Sequence, residues 1–231
     1  MSTSGTDDSA RPIGLLGGTF DPVHYGHLRL AEEAREALAL ARVLFIPAGA
    51  PAHRPAPAAS AAHRRAMLAA ALADNPHFAL ETFELERDAP SYTVETLIAL
   101  RAREGAARPL VWIIGSDAFA ALHTWHRWRE LFALAHFAIA QRPGQTFDAP
   151  PDAALAAEYR ARRVNDPQRL RHAAAGCLID FAMTPLAISA TAIRANLARG
   201  TSNRYLLPAA VANYIDHHQP YPVEPTPAHD R

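Results

Sequence analysis

LLGGTFDPVHYGHLRLAEEA, residues 15–34, joins an apolar run to a helical pattern through a turn that holds two histidines. The run Ile13 to Gly18 is short, apolar and closed by glycines, which predicts a buried strand. From Gly26 onwards apolar residues recur at helical spacing, and Arg42 to Gly49 is again an apolar run. Strand, helix and strand in this order predict a βαβ unit with parallel strands.

The same alternation continues along the chain. Further helices are predicted at 61–74, 93–103, 118–135, 189–200 and 208–218, and further strands at 78–85, 109–117, 136–142 and 177–183, while 152–175 has no clear pattern. We therefore expect an α/β fold: a Rossmann-like, doubly wound, mainly parallel sheet with a small C-terminal helical part. In such sheets ligands bind at the carboxyl ends of the strands, where the strand order switches, and the opening motif lies at such an end.

Composition excludes several classes of protein. The 231 residues carry 23 basic and 23 acidic side chains, so no overall charge favours nucleic acid or an anionic membrane as a partner. Lysine is absent, which excludes a Walker A loop and a Schiff base. Cys177 is the only cysteine, and neither a signal peptide nor a membrane-spanning run is present, so we expect a cytoplasmic protein.

The domain organisation is expected to be simple. A polar, disordered tail is predicted at 1–11, one domain at 12–221 and a flexible, proline-rich tail at 222–231. An oligomer is possible, and the sequence does not decide the state.

The histidines of the opening motif suit an anion. Gly17 and Gly18 end the strand and allow a ligand to approach the backbone. The next helix begins near Gly26, where unpaired N–H groups and the helix dipole favour negative charge. His24 and His27, at i and i+3, can both face that point and donate hydrogen bonds. The pattern therefore predicts a phosphate cradle without lysine.

Four alternatives compete with the cradle. The glycine pair alone is explained by a tight turn, and an isolated histidine is more often structural. A metal site would need further ligands, and only Asp21 is near. A dinucleotide fingerprint fails, because the glycines do not follow G-x-G-x-x-G. The cradle accounts for the histidine pair best.

A second constellation lies in ISATAIRANLARG, residues 188–200. Ser189 or Thr191 can cap the helix. Arg194 stands one turn inside it, where a cation opposes the helix dipole unless an anion is bound. We therefore expect a second phosphate contact at Arg194.

These two motifs together resemble the nucleotidylyltransferase superfamily with its H-x-G-H signature, and within it the bacterial nicotinate-nucleotide adenylyltransferases. The likeness runs from about 13 to 221. It also includes IPAGAPAHRP (46–55), SYTVETL (91–97), WIIGSDAFAALHTWHRW (112–128) and YLLPAAVANYIDHHQPY (205–221).

Two positions depart from the family pattern. Ala52-His53-Arg54 stands where the family usually has Pro-His-Lys, and Ala190 replaces the second serine of I-S-S-T. Arg54 keeps the charge but changes its geometry from a point to a planar fork. Neither departure touches the histidines or Arg194.

The resemblance implies transfer of AMP from ATP to nicotinate mononucleotide, giving deamido-NAD and pyrophosphate. It implies catalytic roles for His24, His27 and Arg194. It implies ATP or nucleotide contacts at Gly17, Gly18, Thr19, Phe20, Gly26, Gly115, Asp117, Ser189 and Thr191, and mononucleotide contacts at Arg54, Thr93, Trp125 and Arg142. Tyr92 and Phe119 are taken as packing residues.

The same resemblance implies Mg²⁺ carried with ATP and no metal site built by the protein, since Mg²⁺ keeps much of its water shell. Nicotinamide mononucleotide or phosphopantetheine remain alternative substrates within the superfamily. A nucleotide-binding regulator without activity is a further alternative.

Overall fold

A parallel β-sheet is the central element of the computed structural model, which describes residues 11–51, 56–87, 89–141 and 149–221. The strands are β1 (Ile13–Gly18), β2 (Arg42–Pro47), β3 (Ala50–Pro51), β4 (Phe78–Leu80), β5 (Pro90–Ser91), β6 (Leu110–Gly115), β7 (His136–Gln141), β8 (Arg163–Val164) and β9 (Leu178–Ala182). Seven of them pair in the order β4-β2-β1-β6-β7-β9-β8, and β3 pairs with β5 in a separate ribbon.

The helices lie between the strands along the chain. They are α1 (Tyr25–Ala37), α2 (Ala61–Leu72), α3 (Thr93–Glu104), α4 (Ser116–Ala120), α5 (Trp128–Leu134), α6 (Ala153–Arg162), α7 (Ala190–Ala198) and α8 (Ala209–His218), with 3₁₀ turns at Leu122–Thr124 and Pro167–Arg171. Among the described residues, no helix has both the length and the apolarity needed to cross a membrane.

The strand order reverses between β1 and β6. From β1 the sheet grows through β2 to β4 on one side, and through β6, β7 and β9 to β8 on the other. All of these pairs are parallel. The reversal leaves a crevice at the carboxyl ends of β1 and β6, which is where ligands bind in such sheets. The predicted doubly wound fold is confirmed.

Each face of the sheet buries its own core. Successive strand residues point to opposite faces, and in β1 Ile13 and Leu15 pack into one cluster while Leu16 packs into the other. One cluster contains residues of α1, α2 and α8, and the second contains residues of α3, α5 and α6. Burial on both faces explains why the strands are continuous apolar runs.

Several predicted elements differ from the observed ones. The strand expected at 78–85 ends at Leu80, because Leu85 and Glu86 both donate backbone hydrogen bonds to the Thr82 carbonyl and form a turn. The helical region expected up to 135 is split into α4, a 3₁₀ turn and α5, with Arg127 in the left-handed region at φ 53°. The uncertain segment 152–175 holds α6, β8 and a 3₁₀ turn.

The β3-β5 ribbon was not predicted, because each of its strands has two residues and is too short to show a pattern. The predicted tails, 1–11 and 222–231, lie outside the described residues except for Arg11. The domain boundaries therefore stay predictions.

Gly17 and Gly115, at the ends of neighbouring strands β1 and β6, should respond differently to alanine. A Cβ on Gly17 would lie 2.6 Å from Cζ2 of the buried Trp112 ring. A Cβ on Gly115 would have no heavy atom within 4 Å. We expect Gly17→Ala to lower the free energy of unfolding by about 1–3 kcal/mol, as overpacking does. Gly115→Ala should leave it unchanged or slightly higher. Denaturant unfolding of both variants checks this, and equal losses would contradict it.

Candidate active site

The loop between β1 and α1 has an unusual backbone. Phe20 has φ 50°, in the left-handed region, and the Asp21–Pro22 peptide is cis. A non-glycine residue in that region costs about 1–3 kcal/mol. The cost is offset because the Phe20 side chain is buried, with its ring 4.9 Å from the His27 ring and 5.7 Å from the Phe45 ring. Core packing therefore holds the loop in this conformation.

The two histidines are stacked at the start of α1. Their ring centroids are 3.7 Å apart with 24° between the planes. The backbone N–H of His24 donates to Nδ1 of His27 over 3.3 Å, so the neutral His27 ring carries its proton on Nε2 and can donate from there. A Cβ on Gly26 would lie 3.0 Å from Nδ1 and Cε1 of His24. The glycine between the histidines therefore makes room for the His24 ring.

Burial keeps both histidines neutral near pH 7. Burial lowers the pKa of His24 to about 4. Burial and the neighbouring His24 lower the pKa of His27 to about 3. Nδ1 of His24 is buried with no hydrogen-bond partner in the described structure. An anion beside the pair would raise both pKa values, because a negative charge favours the protonated ring.

One of the amides expected to face an anion is already used. The Tyr25 N–H, at the first position of α1, donates to the Leu206 carbonyl over 3.1 Å. The His27 N–H is also used, since it donates to the His24 carbonyl over 2.9 Å. The anion-binding capacity of the helix start must therefore come from the Gly26 N–H and from the histidine side chains.

Arg194 reaches the opening loop from far along the chain. Ser189 caps α7 by accepting from the Ala192 N–H over 3.2 Å. One turn further, a terminal nitrogen of Arg194 donates to the Asp21 carbonyl over 2.6 Å and lies 3.7 Å from an Asp21 carboxylate oxygen. The two motifs meet, and Asp21 supplies an anionic partner that the sequence argument assigned only to a ligand.

The Asp21 side chain anchors the loop between β1 and α1 to other parts of the chain. Its carboxylate accepts from the N–H groups of Ala58 and Ala59, at 2.7 and 3.1 Å, and from the Tyr221 hydroxyl at 3.0 Å. The carboxylate oxygens of Asp21 therefore accept hydrogen bonds from the protein, whereas those of a vacant metal ligand would lack such donors. From the sequence, Asp21 was expected only as a possible metal ligand.

Arg64 is a second support that sequence analysis missed. It is 1% exposed and donates to the Thr19 carbonyl over 3.0 Å and to the Gly49 carbonyl over 3.4 Å. Burial lowers its pKa, while the nearby Asp21 opposes that effect. The sequence did indicate that Arg64 is buried, because it shares a helical face with Met67 and Leu68, which are fully buried.

A cavity of about 330 Å³ lies at the carboxyl ends of β1 and β6. It brings together several residues that the sequence predicted for the site, namely Gly17, Gly18, Thr19, His27, Thr93, Gly115 and Trp125. These residues come from three distant stretches of the chain. The strand-order reversal is what assembles them.

The other predicted site residues lie around this cavity or outside the described chain. His24 stacks on His27, and Phe20 packs against the same ring. Exposed positions are found for Asp117, Ser189 and Thr191, which do not line the cavity. Arg54 and Arg142 lie outside the described residues.

Some cavity residues were not predicted for the site. They are Glu84, Ser91, Tyr92, Trp112 and His126, together with aliphatic neighbours. Tyr92, taken as a packing residue, lines the cavity, and its ring centroid is 4.5 Å from that of His126. Phe119 is fully buried, in agreement with its expected packing role.

Within the described ranges, no group of three or more histidine, cysteine or acidic side chains could hold a metal ion. The absence of a protein-built metal site from the whole chain stays a prediction.

The fold and this site define a nucleotidyltransferase of the cytidylyltransferase-like class, and the sequence model of that family matches residues 15–196. A relative in Dechloromonas aromatica is 51% identical over 92% of this chain and 98% of its own length. One in Halorhodospira halophila is 51% identical over 89% and 93%. Both are named probable nicotinate-nucleotide adenylyltransferases. The chain belongs to the nicotinate-nucleotide adenylyltransferase family.

Solved structures agree on the fold. The Plasmodium falciparum nicotinic acid mononucleotide adenylyltransferase complexed with NaAD has a TM-score of 0.68 at 15% identity, covering 93% of this chain and 98% of that one. A putative nicotinate-nucleotide adenylyltransferase from Vibrio parahaemolyticus has a TM-score of 0.60 at 13% identity, with 91% and 95% covered.

The lowered histidine pKa values predict acid sensitivity. A histidine with a lower pKa in the folded state takes up a proton on unfolding, so stability falls as the pH drops from about 6.5 towards 4. We expect the free energy of unfolding of His27→Asn to depend less steeply on pH in this window, by up to about 1.4 kcal/mol per pH unit.

Urea unfolding at pH 4.5, 5.5, 6.5 and 7.5 tests this. The buried His136, whose pKa is also lowered by burial, contributes equally to both proteins. Parallel curves below pH 6.5 would refute the assignment, and above pH 6.5 the slopes should agree.

Proposed function

We propose that this chain transfers AMP from ATP to nicotinate mononucleotide, giving deamido-NAD and pyrophosphate. The observation that carries the proposal is the stacked pair His24 and His27, beside the cavity and close to the loop that Arg194 contacts. The family membership supports the choice of nicotinate mononucleotide.

The proposed reaction is a direct displacement. A phosphate oxygen of the mononucleotide attacks the α-phosphorus of ATP and forms the new O–P bond, while the bond to the β-phosphate bridging oxygen breaks and pyrophosphate leaves. Such a reaction needs positioning and stabilisation of charge more than covalent help. In our proposal, His24 and His27 bind the ATP phosphates and stabilise the developing charge, and Arg194 binds the β- and γ-phosphates.

The neutral state of the histidines fits this role. A neutral His27 with its proton on Nε2 can donate from there without first gaining a second proton. Preorganised donors in a site with little water stabilise charge more than the same donors in water. When phosphates arrive, the rise in the histidine pKa values adds positive charge where negative charge accumulates.

The two substrates would occupy opposite parts of the cavity. We propose that Gly17, Gly18, Thr19 and Phe20 contact the nucleotides through their backbone, that Gly26, Ser189 and Thr191 contact the phosphates, and that Gly115 and Asp117 lie on the adenosine side. On the mononucleotide side, Thr93 would lie near the nicotinate group and Trp125 would stack on the pyridine ring. Arg54 and Arg142 are proposed to bind this substrate as well.

Mg²⁺ would enter with ATP. It would be held mainly by ATP and would neutralise charge on the phosphates, which needs few protein ligands. Asp21, the carboxylate nearest the motif, accepts hydrogen bonds from Ala58, Ala59 and Tyr221, which suits an ion held mainly by the substrate.

We also propose a cytoplasmic location and no nucleic-acid or membrane partner; the oligomeric state stays open.

Substrate preference tests the proposal. With Mg²⁺ and ATP, kcat/KM should be at least about tenfold higher for nicotinate mononucleotide than for nicotinamide mononucleotide, which corresponds to about 1.4 kcal/mol of transition-state binding. Pyrophosphate release measures both rates. A preference for the amide, or for phosphopantetheine, would overturn the proposed substrate.

His27→Ala tests the proposed catalytic role. Loss of a donor to the transition state is expected to lower kcat by about a hundredfold or more. His217→Ala, on the exposed end of α8, is the matched control and should keep full activity. Thermal melting at pH 7.5 checks that both variants are folded. Full activity of a folded His27→Ala protein would rule out the mechanism, and a regulator without activity would show no turnover in the unaltered protein.

A further inference from the structure

Glu84 is a buried carboxylate that no step of the proposed reaction uses. It lies in the turn after β4, is 8% exposed and lines the cavity. The cavity is proposed to take two phosphate-bearing substrates, so an acidic side chain in its wall opposes their charge. Such a residue calls for another role.

The Glu84 carboxylate joins three separate segments. The Thr96 hydroxyl, on α3, donates to Oε1 over 2.6 Å. The Ser91 hydroxyl, in β5, and the Gly49 N–H, after β2, lie close enough to the carboxylate to act against the rise of its pKa. In addition, the Gly49 N–H donates to Oγ of Ser91 over 3.0 Å. The Glu84 side chain, bonded to α3, therefore lies where the end of β2, the ribbon and the start of α3 meet.

The backbone around Glu84 is equally tight. A Cβ on Gly49 would lie 2.0 Å from the Glu84 carbonyl oxygen and 3.2 Å from Oγ of Ser91. The β3-β5 ribbon begins immediately afterwards, with Ala50 opposite Pro90. The contact point is thus the origin of the ribbon that precedes Tyr92 and Thr93 in the cavity wall.

Keeping the Glu84 carboxylate ionised in this buried position costs free energy. Burial raises the pKa of Glu84, and its hydrogen bonds and the charge of Arg87 act in the opposite direction. An ionised carboxylate only accepts hydrogen bonds, and the polar groups around it, the hydroxyls of Thr96 and Ser91 and the Gly49 N–H, can all donate. An amide of the same size would present N–H groups to some of those donors.

We propose that Glu84 is a positioning residue for the mononucleotide: it fixes segment 91–93 against Gly49, so that the wall formed by Tyr92 and Thr93 has a single arrangement. The substrate part of this inference rests on the function proposed above. The positioning part concerns only the protein.

The test compares Glu84→Gln with Glu81→Gln. Glu81 is equally buried and three residues earlier, but it binds Arg103 and the Phe83 N–H and does not line the cavity. We expect Glu84→Gln to raise the KM for nicotinate mononucleotide about tenfold, with the KM for ATP and kcat changed less than about threefold. Glu81→Gln should leave all three constants unchanged.

Thr96→Val provides a milder variant, since it removes one donor to Glu84 and keeps the shape of the side chain. It should raise the same KM, and Thr96→Ser should restore it. Unchanged constants in a folded Glu84→Gln protein would overturn the proposal. So would a uniform loss in both substrates and in kcat, which indicates a general structural role.

Amide hydrogen exchange separates this inference from the proposed function. Peptides containing Gly49 and 91–93 should exchange at least about tenfold faster in Glu84→Gln than in Glu81→Gln, because local opening becomes easier when the bonds are lost. If the unaltered protein does not convert nicotinate mononucleotide, the proposed function fails, and this exchange result still decides the positioning role. Equal exchange in the two variants would refute it.

Discussion

The arrangement of the site depends on the hydrogen bonds of one carboxylate, Asp21. The carboxylate accepts from two backbone N–H groups of the segment before α2 and from the Tyr221 hydroxyl. The backbone carbonyl of the same residue accepts from Arg194. A buried carboxylate is tolerated only when its oxygens are satisfied in this way. Because Asp21 directly precedes Pro22, Val23 and His24, these bonds fix the point from which α1 and its histidine pair begin. Arg64 supports the same loop through the Thr19 carbonyl.

The site carries little net positive charge near neutral pH. Its two histidines are neutral because burial disfavours the protonated ring, and the guanidinium of Arg194 is partly neutralised by Asp21. Protonated rings stacked 3.7 Å apart would repel each other. A phosphate group removes this conflict, because it offers both rings an opposite charge. Hence the same burial that lowers the histidine pKa values strengthens the interaction of the two rings with an anion.

Local patterns in the sequence predict much of the fold and part of the site. The apolar run of β1, the helical spacing of α1 and the cap at Ser189 are properties of neighbouring residues, and the structure confirms these elements. Arg64 and Glu84 were missed for a different reason: their partners lie 12 to 45 residues away, or in a two-residue strand that no periodicity marks. The strand expected at 78–85 begins where predicted but ends at Leu80, because a turn at Thr82 competes with its continuation. The roles of Arg54 and Arg142 stay predictions.

The Asp21 contacts also have a consequence for the order in which the molecule is made. Arg194 follows Asp21 by 173 positions and Tyr221 follows it by 200. On the ribosome, β1 and the histidine turn emerge early, yet the loop cannot gain these two partners until nearly all of the domain has been synthesised. Nascent chains therefore carry the complete histidine motif well before they can hold it in its working geometry.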